Sequence, residues 1–257
     1  MVTKPYKLAI FNNKGGVGKS TIAVHLAYGL ARRGERILLL DMDEQNDASL
    51  FLGFTSEDYK RTLYDILMGE ENLVLDDCII RARDNLDLIP SRHLSRINKK
   101  LFTLENISSF LKIRLKDVDL RGYNYVIIDC GPQRSKINDA ILYYADGIIV
   151  PVQVEAASVR ALGNIYEYLY DLGLNSDMIL QVIPNMYDKR TGDGRENLEF
   201  IKEFFDGSDI VAEPVHRRIK ITEAGKMGKT VYEYDNASAE QFERIIQRLV
   251  ALNGRKE

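Results

Sequence analysis

Eight residues, Lys14-Gly15-Gly16-Val17-Gly18-Lys19-Ser20-Thr21, constrain this chain more than any others. They follow the apolar run Leu8-Ala9-Ile10-Phe11 and precede a stretch in which Ile22, Ala23, Leu26, Ala27 and Leu30 recur at three- and four-residue steps. A strand, a glycine-rich turn and an amphipathic helix in that order place the turn at the carboxyl end of a strand in a βαβ unit. Glycines leave room for backbone N–H groups to approach an anion, and the helix N-terminus adds its positive field. The ligand implied is a phosphate chain. Gly15, Gly16, Val17 and Gly18 would wrap it with backbone N–H groups, and Lys19 would reach the β- and γ-phosphates. The Ser20 hydroxyl would ligate magnesium, and Thr21 would donate to the α-phosphate.

The remainder alternates short β-branched or Leu-rich runs with amphipathic stretches. Strands are expected at 6–11, 36–41, 86–89, 124–129, 147–152 and 178–184. Helices are expected at 19–33, 61–68, 93–117, 135–145, 157–172, 195–205 and 237–252. Such alternation implies an α/β fold, a mostly parallel twisted sheet with helices on both faces. At 257 residues, with no repeat or linker-like shift in composition, the chain reads as a single domain over 1–257. The segment 54–85 is dense in charge and carries little strand signal.

The net charge of −3 gives no global attraction to nucleic acid, so DNA binding would need a local patch. Cys78 and Cys130 form no disulfide framework and lack metal-ligand spacing, which suits a reducing cytoplasm. The N-terminus offers no charged-then-apolar signal region, and no apolar run approaches membrane-spanning length.

Two further strands end in carboxylates. After Arg36-Ile37-Leu38-Leu39-Leu40 come Asp41 and Asp43, at the edge where open α/β sheets bind ligands. Tyr123-Asn124-Tyr125-Val126-Ile127-Ile128-Asp129 is an apolar strand closing on one acid, the Walker B arrangement, and Asp129 would hold magnesium through water. Gly131-Pro132 follows, as suits a loop that senses the γ-phosphate.

The usual phosphate loop has glycine where this chain has Asn13, and this chain carries a second lysine, Lys14. In that respect the loop resembles the deviant Walker A motif of the ParA/MinD superfamily of ATPases, and the resemblance runs from Leu8 to about Leu249. It implies ATP with Mg2+ as cofactors and a homodimer formed on ATP, with Lys14 crossing to the other subunit's nucleotide. Asp43 would orient or activate the attacking water and lie near the metal with Ser20 and Asp129, with Asp41 in support. Lys14 and Asp43 are thus the expected catalytic pair. Gly147–Glu155, Ser158, Ala161 and Leu162 resemble the family's next strand and helix, read mainly as core and dimer surface. Val182–Thr191 resembles the segment bordering the base. There the Asn185 amide offers the donor and acceptor that match adenine's N6/N7 edge, with Met186 beside it.

Val215–Lys226 resembles the ParA segment that carries basic residues for nonspecific DNA binding, with His216 where the family usually has proline. Arg217, Arg218 and Lys220, joined by Lys189, Arg190 and Arg195, would track phosphates. The membrane-binding branch ends in a basic amphipathic helix that is not seen here, so no direct membrane anchor is expected. Neither cysteine suits an iron–sulfur cluster shared across a dimer. With no helix-turn-helix segment before the phosphate-loop strand, operator binding is not expected. The resemblance therefore implies a cytoplasmic DNA partition ATPase, nucleoid-associated when ATP-bound and released by a ParB-like centromere-binding protein. The alternatives are a ParA-like ATPase positioning another cargo, a MinD-like spatial regulator, and a regulatory module that dimerises on nucleotide and barely turns over.

Overall fold

In a computed structural model, described for residues 4–69, 73–116, 118, 120–205 and 209–253, seven strands form one sheet. They are β1 (Tyr6–Ile10), β2 (Ile37–Met42), β3 (Ile80–Arg83), β4 (Leu86–Ile89), β5 (Tyr125–Cys130), β6 (Gly147–Gln153) and β7 (Ile179–Asn185). Their order is β3-β4-β2-β5-β1-β6-β7, parallel throughout except for the β3–β4 pair. The connection from β1 runs over β5 to β2, whereas that from β5 runs over β1 to β6. The chain thus reverses direction across the sheet at β5 and β1, and a ligand crevice opens beyond their carboxyl ends.

The two-residue period of a strand separates two cores. Leu8, Ile10, Ile37, Leu39, Tyr125 and Ile127 face one side. There they pack with α1 (Lys19–Arg32), α2 (Asp47–Phe51), α10 (Ile219–Lys226) and α11 (Asn236–Asn253). Ala9, Phe11, Leu38, Leu40, Val126 and Ile128 face the other side. That side is covered by α3 (Leu63–Met68), α4 (Leu94–Leu101), α5 (Phe110–Arg114), α6 (Lys136–Tyr144), α7 (Ala156–Arg160), α8 (Gly163–Asp171) and α9 (Gly192–Phe204). The expected α/β class, with helices on both faces, is the observed one. Cys78 and Cys130 are both buried in the second core.

The six expected strands form within a residue of their places. The edge strand β3 was not anticipated: its four residues, Ile-Arg-Ala-Arg, bury only Ala82, so the apolar signal is thin. The helix expected over 93–117 is two helices. Between α4 and α5 the Thr103 hydroxyl bonds back to the Lys100 carbonyl (2.7 Å), and the Asn106 side chain accepts from the backbone N–H of Ser108 (3.1 Å). Such local bonds compete with the helical ladder. Likewise 157–172 divides into α7 and α8, and α9 begins at Gly192 because the Thr191 hydroxyl caps the Gly194 N–H (3.1 Å).

The helix behind the phosphate loop is fixed by a buried histidine. His25 Nδ1 lies 2.6 Å from the Thr21 carbonyl, and Nε2 accepts the Val231 N–H at 3.0 Å. Its ring stacks on Phe242 of α11 with centroids 4.3 Å apart. These bonds define a neutral imidazole with the proton on Nδ1, and burial pushes its pKa down from 6.5 to about 4. Gly29 permits the close approach of α1 to α11, since a Cβ there would overlap Ile246 and the Tyr232 ring.

Candidate functional site

The carboxyl ends of five adjacent parallel strands meet at the crevice: the glycine loop after β1, Asp41 and Asp43 at β2, Asp129 in β5, Glu155 after β6 and Asn185 ending β7. Parallel register aligns them, with Asp41 opposite Asp129 and Gln153 opposite Asn185.

The loop is held open by its own chain. Asn12, buried, donates to the Pro151 carbonyl (2.8 Å) and accepts from the Lys14 N–H (2.9 Å), pinning the loop's first residues to β6. Gly16 and Gly18 have φ of 74° and 89°, the left-handed region that favours glycine. Gly18 sits at the N-cap of α1, where no side chain caps the helix, so the first-turn N–H groups remain directed at the crevice. Lys19 is buried and donates to the Lys14 carbonyl (3.0 Å), closing the loop on itself. Burial lowers the pKa of its ammonium, opposed by the nearby carboxylates of Asp129 and Asp43.

Asp129 is fully buried, and neither of its carboxylate oxygens has a hydrogen-bond partner. Burial, with the nearby charge of Asp41, pushes its pKa well above the usual carboxylate range, against the pull of the neighbouring Ser20 hydroxyl. An unsatisfied buried carboxylate beside a hydroxyl and an ammonium is costly in isolation. It suits a hard divalent cation that keeps most of its water, and Asp129 with Ser20 would hold it. The residues present therefore fit magnesium.

The two acids after β2 have separate roles. Asp41 is fully buried and accepts from both the Ser49 N–H (2.9 Å) and the Ser49 hydroxyl (2.6 Å), which anchors α2. It is a structural acid, and burial still raises its pKa. Asp43, 8% exposed, turns toward the crevice with one oxygen accepting from the Gln45 N–H (3.1 Å). Gly131 lies alongside, and a Cβ there would stand 3.9 Å from the Asp43 carboxyl carbon. Ser91 and Glu44, which no sequence signal singled out, organise this turn. The buried Ser91 hydroxyl is 2.8 Å from the Asp43 carbonyl, and Glu44 accepts the Ser95 N–H of α4 (2.8 Å).

Lys14 folds back within its own subunit, 2.6 Å from Glu155 Oε1 and 2.8 Å from the Ser158 hydroxyl. Glu155 and Ser158 therefore serve as its partners here rather than only as core and surface.

Asn185 departs from the expected geometry. Its amide N–H donates to the Val17 carbonyl (2.8 Å) and its oxygen accepts the Met186 N–H (2.9 Å). The amide clamps the phosphate loop, and a Cβ on Gly18 would overlap it. One N–H and one lone pair of the amide are thus engaged by the protein. Met186 takes a φ of 56°, a strained value for a methionine, at the boundary of a cavity of about 760 Å³. That cavity runs from Thr21, Asn185 and Met186 to His216, Phe51 and Ile221. Its size and apolar walls suit a base and sugar. Phe51 and Ile221 lie on α2 and α10, two short helices absent from the expected set.

Of the basic residues, Arg190, Arg217, Arg218, Lys220 and Lys189 line one concavity around Tyr187 and His216. Arg190 pairs with Asp188 (2.7 Å) and Lys220 with Glu223 (2.9 Å), both exposed. Arg195 stands apart from this lining and donates to the Lys189 carbonyl (2.9 Å). Burial and then the charges of Lys189, Arg218 and Arg244 lower the pKa of His216.

Residues 6–182 match the family described as AAA domain. The chain is 32% identical over 253 residues to the sporulation initiation inhibitor protein Soj of Bacillus subtilis, covering 96% of this chain and 98% of Soj. It is 34% identical over 233 residues to the chromosome partitioning protein ParA of Caulobacter vibrioides, covering 89% and 86%. Among solved structures, apo McdA of Cyanothece superposes with a TM-score of 0.83 at 26% identity, covering 95% of this chain and 99% of that one. A candidate plasmid partition protein of Borrelia burgdorferi bound to AMPPNP gives 0.80 at 25% identity, covering 96% and 99%. With the lysine pair of its phosphate loop, its Walker B acid and this similarity along nearly its whole length, the chain belongs to the ParA and Soj family of partition ATPases.

Proposed function

We propose that this protein is an ATP-dependent DNA partition protein whose working form is a homodimer closed over ATP. It binds DNA nonspecifically in that form and leaves DNA when a ParB-like partner stimulates hydrolysis. The observation that carries the reading is that one phosphate-loop crevice has both a buried Asp129 without a hydrogen-bond partner and a second loop lysine, Lys14, held by Glu155. Bound magnesium would neutralise charge between the β- and γ-phosphates. The backbone N–H groups of the loop and Lys19 bind the phosphates, and Asp43 orients the attacking water from the neighbouring turn.

Lys14 supports the dimeric form. Its ion pair with Glu155 is partly exposed on both sides, the kind of contact that contributes about 0–1 kcal/mol. Exchange for a partner subunit's phosphates, a denser charge, is therefore favourable. In trans Lys14 acts as an arginine finger does, stabilising transition-state charge that one subunit leaves uncompensated. Turnover is accordingly slow in the monomer.

DNA is engaged by Arg217, Arg218, Lys189, Arg190 and Lys220, with Arg195 at the margin. The exposed carboxylate pairings of Arg190 and Lys220 are weak enough to yield to phosphates. The protein works in the cytoplasm and joins the nucleoid when ATP-bound. Replacing Lys14 by Ala is the test: nucleotide binding persists, while dimerisation in ultracentrifugation and phosphate release fall to background. Unchanged turnover in that variant refutes the in-trans role. ATP-dependent retardation of nonspecific DNA, lost in an Arg218→Glu, Lys220→Glu variant, tests the cargo.

A further inference from the structure

One segment outside the crevice carries a marked local excess of positive charge. From Arg92 to Arg114 the sequence holds six cations, Arg92, Arg96, Lys99, Lys100, Lys112 and Arg114, against one carboxylate, Glu105, in a chain whose net charge is −3. Both helices of this segment, α4 and α5, lie on the same face of the sheet. Leu94, Ile97, Leu101, Phe110 and Leu111 turn inward, and Arg96, Lys99 and Lys112 turn out. Elsewhere on this face and on the opposite one some cations meet a carboxylate, as Arg134 meets Asp171 and Arg33 meets Glu243. Among the described residues, Arg96, Lys99, Lys100 and Lys112 meet none. The same two helices carry exposed apolar side chains: Phe102 is 67% exposed at the end of α4, and Ile113 is 56% exposed on α5.

This surface is also wired to the catalytic turn. Glu44, the residue after Asp43, holds the first turn of α4 through the Ser95 N–H. Ser91, three residues before α4, is fully buried with its hydroxyl in reach of both the Asp43 carbonyl (2.8 Å) and Asn46 Oδ1 (2.9 Å). A shift of α4 therefore reaches Asp43 through two hydrogen bonds.

We propose that α4 and α5 form a docking surface for an acidic, amphipathic segment of a partner protein, and that its seating adjusts Asp43 through Ser91 and Glu44. Charge complementarity selects the partner's sign, since unpaired cations attract a carboxylate-rich chain and steer its approach. Phe102 and Ile113 select a protein over a nucleic acid, because interfaces of proteins bury aromatic and aliphatic anchors within a polar rim. A duplex offers phosphates and no apolar face to cover them. A bilayer calls for one continuous apolar stripe, whereas here the exposed apolar residues sit on two separate helices. The coupling rests on the assignment of Asp43 above, but the docking does not.

The probe is a fluorescein-labelled amphipathic helical peptide of Glu and Leu, with its Gln and Leu counterpart as control. Anisotropy is measured on nucleotide-free full chain. The acidic peptide binds, its affinity falls steeply with salt, and Lys99→Glu, Lys100→Glu, Lys112→Glu weakens it about tenfold or more. The milder triple change to Gln gives a smaller loss in the same direction, and thermal melts confirm that both variants fold. Equal binding of the Gln peptide, or unaltered binding by both variants, overturns the proposal. So does retention of duplex DNA or of phosphatidylglycerol vesicles, lost in the variants, with the acidic peptide unbound. Saturating peptide changes phosphate release in the wild-type protein, and Ser91→Ala removes that change with peptide affinity intact. A change that survives in Ser91→Ala, or none in wild type, overturns the coupling. Absent hydrolysis with peptide binding retained counts against the ATPase reading alone.

Discussion

Stability should depend on pH through His25 in a way its surroundings quantify. The imidazole is fully buried, neutral and bonded at both nitrogens, with a folded pKa near 4 against an ordinary value of 6.5. Because the folded pKa is depressed, the unfolded chain binds the extra proton first. The stabilisation is complete above pH 6.5 and is lost progressively as pH falls toward 4, levelling off below that. The full difference corresponds to about 3.4 kcal/mol, and the loss between pH 7.5 and pH 5 to about 2 kcal/mol. Asp41 and Asp129 oppose it, since carboxyls with raised folded pKa values favour folding as pH falls. His25→Phe isolates the effect: the ring can still stack on Phe242, but the Thr21 carbonyl and the Val231 N–H lose their partner. Urea unfolding at pH 7.5 should find the variant less stable by about 1–3 kcal/mol. At pH 5 the wild type has lost about 2 kcal/mol of its His25 contribution and the gap narrows by that amount. A gap that stays constant across this range would refute the neutral, doubly bonded imidazole.

Asp129→Asn should raise the melting temperature of the nucleotide-free protein, because it replaces a fully buried carboxyl group that has no hydrogen-bond partner. It should also abolish the gain in nucleotide affinity on adding Mg2+, as read with a fluorescent ATP analogue. Asn185→Ala frees the Val17 carbonyl from its clamp and should weaken nucleotide binding about tenfold by calorimetry, with little change in the melt; full retention of affinity would show the clamp to be dispensable. Ser49→Ala strips the closest donor from buried Asp41 and should cost about 1.5–3 kcal/mol in denaturant unfolding, a smaller change meaning that water substitutes.

The sequence alone determined the sheet and its ligand edge. Strand runs such as Leu8–Phe11 and Val126–Ile128 are apolar on both faces, which forces burial between helix layers wherever they occur. The glycine loop carries its function locally, since its donors are backbone groups and its shape follows from Gly16 and Gly18. Asp129 was legible for the same reason, as an acid closing an apolar strand. What tertiary structure decided were pairings between segments far apart in the chain. Asn185, expected at the base, also grips Val17, because β7 ends beside the loop. Lys14 meets Glu155, and Asp41 is taken by Ser49 while Asp43 stays at the crevice. Periodicity cannot distinguish two acids at alternate positions of one strand end; the helix packed against one face does so by supplying a donor. The breaks after Leu101 and Arg160, and the unpaired cations of α4 and α5, were likewise invisible, because a side chain's partner is a property of the fold and not of its neighbours in sequence.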